Sequence, residues 1–326
     1  MPEVEVSLLR ERAVERLRRA GVADEAAGIV VDHMLTADLW GRSSHGLSLR
    51  FGAVLRLAED GAGETPPQIV SDCGHLLSVS GRNGFGYLAG HFCTQLLIER
   101  TAQHKLATVA LKEARHTGML GYYVTMAARA GVVAMAFGDC CPLMAPAGGS
   151  RALLGTNPLA FGFPADPDPI VVDMGTSAVT YGDLMTAKRA GERIPPDCAI
   201  DAEGNPTRDP TAAMDGALLA LGGHKGGALA VAVQLLAGAL TGAPAVPPRG
   251  RDHGLLLVGL SRGAFAGESG YDEAVQEFTE QYLAVPPRPG HEVRLPGSRR
   301  HENARRKAQG SLEISDALAE TLGLAE

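Results

Sequence analysis

Gly81-Arg82-Asn83-Gly84-Phe85-Gly86 joins a short apolar run over 76–79 to a longer one over 87–103. The first has the length of a strand and the second that of a helix. At such a junction a Rossmann domain carries G-x-G-x-x-G, which lets backbone approach a pyrophosphate. Here the glycines run in the opposite order, and G-x-G-x-x-G occurs nowhere in the chain. Gly222-Gly223-His224-Lys225-Gly226-Gly227 is no P-loop either, because no Ser or Thr follows the Lys. The junction predicts an α/β fold that is not doubly wound on a Rossmann turn.

Outward from this junction the same alternation continues. Strands are predicted over 107–111, 132–137, 160–163, 170–172 and 255–260, and helices over 120–129, 177–189, 228–240 and 271–283. Together they predict a mixed sheet. Towards the N-terminus, residues 7–39 read as two amphipathic helices, with Ser7 and Asp24 as caps and Gly21 ending the first. A loop, Trp40-Gly41-Arg42-Ser43-Ser44-His45-Gly46, precedes a helix over 49–60, and Pro66 and Pro67 mark a boundary. Residues 191–223, rich in Gly, Pro and Asp, read as a long ordered loop. Residues 286–307 read as a proline-rich, then basic, tail before a last helix over 312–322.

The chain has 326 residues, enough for two domains, and a net charge of −7. An acidic chain lacks the basic face that nucleic acid requires. Five cysteines without a C-x-x-C spacing predict reduced thiols and a cytoplasmic protein. Adjacent Cys140 and Cys141 read as packed small residues. The N-terminus has neither a basic nor an apolar stretch of the kind a secretory signal needs. The longest apolar stretch, over 228–243, is broken by Gln234 and glycines, so no membrane span is expected. The ten histidines show no metal-binding spacing, so no metal is expected.

Several segments combine small residues with groups capable of acid–base work, and each also has an ordinary structural reading. His45 lies in a loop between helices, where an imidazole can meet a ligand or merely cap a helix. Arg115-His116-Thr117-Gly118 sits where a strand ends and a helix begins; open N–H groups there suit an anion such as a phosphate, or are a plain turn. Pro146 to Gly149 and Gly155-Thr156-Asn157-Pro158 allow close approach of a flat ring, or are turns. Asp173-Met174-Gly175-Thr176-Ser177, with Asp183 beyond, places carboxylates near a histidine, or caps a helix with Thr176 or Ser177. Lys225 between glycine pairs suits a carboxylate or phosphate, or is solvated. From Arg288 to Lys307 seven Lys/Arg stand against two Glu, a local excess that meets an anion or faces water.

Taken in order, Ser44-His45-Gly46, His116 to Tyr123, Ala145 to Gly149, Gly155 to Pro158, Asp173 to Ser177, Ile194-Pro195, Asp201 to Gly204, Gly223 to Gly226, Leu240-Thr241-Gly242 and Leu295-Pro296-Gly297 resemble the type-2 malate/L-lactate dehydrogenase family. Its members include malate, lactate, sulfolactate and ureidoglycolate dehydrogenases, a diketogulonate reductase, and piperideine-2-carboxylate/pyrroline-2-carboxylate reductases. The resemblance covers nearly the whole chain. It implies a non-Rossmann mixed-sheet cofactor domain, residues 71–269, and a helical domain formed from both chain ends, 1–70 with 270–326. It also implies a homodimer and an NAD(P)H-dependent transfer of hydride to C2 of a small 2-imino or 2-oxo carboxylic acid.

Carried over by position, His45 is the proton donor and acceptor, with Ser44 and Asp183 as its relay. His116, Thr117, Gly118, Met119 and Leu120 line the cofactor, as do Asp173, Met174 and Gly175. Thr156 and Lys225 meet substrate. Arg299, Arg300 and Arg305 hold the adenosine end, where they could grip a 2′-phosphate, so NADPH is expected over NADH. Two departures bear on substrate. Relatives commonly place Arg four residues after the His; here that position is Leu49, and Arg50 follows as the candidate carboxylate clamp. Many relatives have Lys where Asp183 stands, as it does in the imino-acid reductase branch. A carboxylate beside the imidazole would favour its protonated form, which leans the reading to cyclic imino-acid reduction. A malate/lactate-type 2-hydroxy-acid dehydrogenase and a catalytically silent nucleotide-binding protein stay open.

Overall fold

The computed structural model describes residues 2–324, and its elements follow from a few sequence patterns. In chain order they are β1 (Glu3–Glu5), α1 (Val6–Arg19), α2 (Asp24–Leu39), a 3-10 turn (Ser43–His45) and α3 (Leu47–Glu59), then β2 (Gln68–Asp72), β3 (Leu76–Ser80), α4 (Gly86–His104), β4 (Leu106–Ala114), α5 (Leu120–Arg129), β5 (Val132–Gly138), β6 (Leu159–Phe163) and β7 (Ile170–Met174). There follow α6 (Tyr181–Ala190), β8 (Ala199–Ile200), α7 (Pro210–Asp215), β9 (Ala217–Leu218), α8 (His224–Ala237), β10 (His253–Ser261), α9 (Gly267–Leu283), α10 (Ser298–Lys307), β11 (Ser311–Glu313) and α11 (Asp316–Leu322).

The main sheet has the order β2-β3-β4-β10-β5-β6-β7. Its one parallel pair is β3–β4, joined through α4; the other neighbours are antiparallel. β10 reads as an unbroken apolar run, and that is why it lies in the middle, buried from His253 to Leu257. The reversed glycine run explains why β3–α4 is not a phosphate turn. A side chain at Gly86 would lie 2.3 Å from the Arg115 carbonyl and 2.4 Å from that of His116. Backbone, not ligand, fills the close approach.

The helical layer is closed by both chain ends. Leu47, Phe51, Val54, Leu55 and Ala58 bury one face of α3 at helical spacing. They share a core with Leu9, Leu17, Val30 and Met34 from the N-terminal helices and Leu312, Leu318 and Leu322 from the far end. β1 pairs antiparallel with β11, Val4 opposite Leu312. A second core lies between the sheet and α4 and α5, with Tyr123, Leu97, Leu111 and Leu257 inside. On these two clusters we propose the division into 1–70 with 270–326 and 71–269; α9, at the start of the C-terminal part, adds no buried residue to either.

Two expectations need correction. Residues 191–223 are not loop throughout: Ile194, Cys198, Ala199, Ala213 and Leu218 join Met144, Leu154, Leu184 and Ala230 in a small core of their own. Its apolar residues come singly, on elements as short as two residues, so periodicity could not reveal them. The basic tail contains α10, invisible to hydrophobic patterning because what it buries is Arg300 and His301. Caps also shift. α1 and α2 have Glu5 and Ala23 as N-caps, so Ser7 and Asp24 lie inside their helices. α6 is capped by Thr180 rather than by Thr176 or Ser177. No helix among the described residues is long and apolar enough to cross a membrane.

Candidate active site

The turn that carries His45 is held from beneath. The Asp38 carboxylate accepts the Leu47 N–H at 2.8 Å, starting α3. A side chain at Gly46 would lie 1.8 Å from that carboxylate, so the glycine of Ser44-His45-Gly46 makes room for it. Ser44 Oγ is 3.0 Å from His45 Nδ1. Arg50 Nε donates to the Ser44 carbonyl at 2.8 Å, which places the shifted arginine on the His45 turn itself. Gly182 lets α6 pack onto Ser44, where a Cβ would come within 2.5 Å of the Ser44 Cβ.

Asp183, next on α6, is exposed and sits in a capping box. Its Oδ2 accepts the Thr180 N–H at 2.7 Å, and its own N–H donates to Thr180 Oγ1 at 3.1 Å. Its charge favours a protonated His45, but burial first, then Arg50 and Arg42, act the other way and outweigh it. Together they push the His45 pKa down to about 4. The imidazole is therefore neutral at ordinary pH, and the expected protonated donor is corrected.

His116 faces His45, the two rings stacked with centroids 5.8 Å apart at 25°. His116 is exposed at its surface yet surrounded by protein; desolvation, then Arg50 and the neighbouring histidines, hold its pKa well below the usual range. Its Nδ1 lies 3.3 Å from the Tyr87 hydroxyl. The turn after it is fixed by groups that sequence alone left without a role. The Tyr123 hydroxyl donates to the Thr117 carbonyl. The Met119 N–H donates to Nε2 of fully buried His33 at 2.8 Å. Gly118 has φ +79°, and a Cβ there would lie 2.3 Å from His33 Nε2. The one signal for His33 was a histidine on an otherwise apolar helix face.

The start of α5 is not an open anion site, contrary to expectation. The Gly121 N–H bonds the Asp173 carboxylate, which pairs with Arg300 at 3.2 Å. Arg300 is buried, donates to the Asp173 carbonyl at 3.2 Å and lies 5.5 Å over the Trp40 ring. Arg305 pairs with Asp168. Of the three arginines expected at a 2′-phosphate, Arg299 alone is exposed with no ion pair among the described residues.

Thr156 sits behind the end of β7. Its carbonyl accepts the Thr176 N–H at 2.9 Å, and Gly175 lies against that carbonyl. Cys140 Sγ accepts the Thr156 N–H at 3.2 Å; burial pushes this thiol up to about 11, which suits packing rather than reactivity. The Thr176 carbonyl accepts the Leu221 N–H at 2.9 Å, which brings the Gly222–Lys225 turn alongside. Lys225 is exposed in the first turn of α8, and Met174 is exposed at the end of β7. His45, Ser44, Arg50 and His116 thus share one locus with Asp183 at its edge. A cleft of about 480 Å³ opens beside Arg42, between β7 and the start of α10. The larger concavity, about 1040 Å³, lies under α9 and contains none of these residues. No cluster of three metal-ligating side chains occurs among the described residues.

The malate/L-lactate dehydrogenase family model matches residues 4–323. The chain is 36% identical to a (2R)-3-sulfolactate dehydrogenase (NADP(+)) of Chromohalobacter salexigens, over 95% of this chain and 94% of that one. It is 33% identical to a Δ1-pyrroline-2-carboxylate/Δ1-piperideine-2-carboxylate reductase of Pseudomonas aeruginosa, over 98% of each. Its fold superposes on the sulfolactate dehydrogenase of Methanocaldococcus jannaschii with a TM-score of 0.89 and 29% identity, covering 98% of this chain and 95% of that one.

Proposed function

Because the chain belongs to the malate/L-lactate dehydrogenase family and is an oxidoreductase of small 2-hydroxy or 2-imino acids, we propose that it interconverts a 2-hydroxy acid and its 2-oxo acid, with NADP(H) preferred over NAD(H). The carrying observation is the His45 turn, with Ser44 Oγ 3.0 Å from His45 Nδ1 and Arg50 Nε on the Ser44 carbonyl, where burial and the nearby cations favour the neutral imidazole. A neutral imidazole accepts a proton. It takes the one released from the substrate's 2-hydroxyl as the alcohol becomes a carbonyl, and returns it in the reverse direction. Ser44 Oγ, at Nδ1, sets the ring's orientation, leaving Nε2 for substrate. Arg50, held on the His45 turn, is the candidate cation for the carboxylate, and Thr156 and Lys225 are the further candidate substrate contacts. When bound, the dinucleotide supplies the hydride acceptor or donor at the nicotinamide ring.

The residues fit such a group. The 116–119 turn is braced from behind by His33 and Tyr123, leaving His116 exposed. Met174 and Gly175 end an edge strand, and the Ser298 hydroxyl is buried without a partner near Arg299. The NADP preference rests on Arg299 and on the sulfolactate relative, whose name specifies NADP(+). The cationic field that lowers His45 also disfavours a cyclic iminium, so the imino-acid reductase is the second reading, supported by the Pseudomonas relative. A homodimer in the cytoplasm completes the proposal. α8 leaves Leu229, Val231 and Leu235 exposed, an apolar face suited to a second copy, and the cysteines are free.

Initial rates test the choice. Lactate-, malate- and sulfolactate-type acids with NADP⁺ should give higher kcat/KM than Δ1-piperideine-2-carboxylate with NADPH gives in the reductive direction. The reverse ranking establishes the imino-acid reading; NADPH binding with no turnover on either set establishes a silent nucleotide-binding protein.

A further inference from the structure

The reversed glycine run at 81–86 serves no phosphate, yet it presses α4 against the His116 turn. Only glycine at 86 can lie this close to the Arg115 and His116 carbonyls, and the residue it delivers there is Tyr87. Three neighbours hold the Tyr87 ring. It meets His116 edge-on, with centroids 5.7 Å apart at 66°, and His33 edge-on at 4.9 Å and 68°. Gly118 lies on it as well, since a Cβ there would come within 2.6 Å of Tyr87 Cε1. Tyr87 is buried, and among the described residues its hydroxyl has one hydrogen-bond partner, His116 Nδ1 at 3.3 Å. Burial pushes the phenol up to about 12, so it keeps its proton at ordinary pH. A hydroxyl can donate or accept, but here only donation leaves no buried O–H unmatched. His116 is itself neutral, because desolvation, then Arg50 and the neighbouring histidines, oppose its charge. With Nδ1 accepting from Tyr87, its single ring proton belongs on Nε2.

We propose that Tyr87 is a positioning residue that fixes the tautomer of His116, so that Nε2–H of this exposed imidazole donates a hydrogen bond to an oxygen of the bound substrate or cofactor. The base role proposed for His45 requires the opposite arrangement, with Nδ1–H donated to Ser44 Oγ 3.0 Å away and Nε2 bare. The two stacked rings, 5.8 Å apart, are then both neutral and opposite in polarity, one set by a serine and the other by a tyrosine. An acceptor beside a donor complements a hydroxyl. Once His45 has taken the proton, the His116 N–H still faces the charge that develops on oxygen. The donor's target rests on the function proposed above; the tautomer does not. The substrate's 2-oxygen and the carboxamide oxygen of a nicotinamide both satisfy the chemistry.

Tyr87→Phe removes the hydroxyl and keeps the ring, so the packing around it should survive. Nitrogen resonances of isotope-labelled histidine read the tautomer without any turnover. Wild-type His116 should carry its proton on Nε2, with Nδ1 as a bare acceptor, and Tyr87→Phe should move the Nδ1 resonance and admit the second tautomer. A proton on Nδ1 in wild type, or a His116 signal that Tyr87→Phe leaves unchanged, overturns the proposal. In kinetics, Tyr87→Phe should lower kcat/KM for a 2-hydroxy acid about 10-fold, the size of one weakened hydrogen bond. If the Kd for NADPH stays within about 2-fold, the oxygen is the substrate's; an equal weakening of NADPH binding assigns the carboxamide. In a His116→Gln background the hydroxyl has no tautomer to set, so Tyr87→Phe should cost less than about 2-fold further. The same loss in both backgrounds overturns the positioning role. A wild-type tautomer as described, with no 2-hydroxy acid turned over, keeps the role of Tyr87 and overturns the target assigned to His116.

Discussion

The turn that carries His45 and the start of α10 are polar by opposite means. Around His45 and His116, desolvation and neighbouring cations drive imidazoles to the neutral form. Around α10, charge is kept and mostly cancelled in pairs: Arg300 with Asp173, Arg305 with Asp168, Arg294 with Glu292 and Glu302. The contrast teaches that accepting a proton needs a group whose own charge is suppressed, whereas anion binding needs a permanent charge left uncancelled. Arg42 belongs to both regions, since its charge acts on His45, Asp173 and Arg300 alike.

The contrast is most severely tested by removing a cancelled charge. Arg300→Ala leaves the largely buried Asp173 with only the Gly121 N–H and the more distant Arg42 charge, and should cost about 2–4 kcal/mol of stability by denaturant unfolding; a loss under 1 kcal/mol would mean the pair does not hold α10. Next, His45→Ala should lower turnover at least ~100-fold while NADPH still binds; near-normal turnover removes His45 from the chemistry. Smaller is the pH effect. With a pKa of about 4 instead of the usual value near 6.5, His45 stays in its basic form well below pH 6. The kcat/KM for 2-hydroxy-acid oxidation should therefore hold level from pH 8 to 6. Arg42→Gln removes one of the charges that lower this pKa, so the acid limb should move to higher pH; movement to lower pH would contradict the field described here. Smallest is Arg305→Ala, which breaks a pair with an exposed arginine and should cost under about 1 kcal/mol.

Much of this was legible before any coordinates. The strand and helix runs flanking 81–86 were legible because burial imposes period; the turns at Ser44, His45 and His116 were legible only as candidates, because small residues beside them serve plain turns equally well. Pairing was not legible. Arg299, Arg300 and Arg305 look equivalent in sequence, yet Arg299 has no ion pair among the described residues and the others are matched by Asp173 and Asp168, far away in the chain. Asp183 misled for a related reason: its capping bonds at α6 are local, but the balance of fields at His45 includes Arg50 and Arg42 from other elements. His33 was hidden because a histidine accepting a single backbone N–H from a distant turn leaves no pattern.

The pairing of β1 with β11 sets an order of events during synthesis. The His45 turn is made early, but the core beneath α2 and α3 is completed only by Leu312, Leu318 and Leu322. On the ribosome the central sheet can assemble while its helical cover waits, exposed, for nearly the whole chain. A nascent chain halted before residue 312 should therefore acquire a protease-resistant sheet and an N-terminal segment that is still cut.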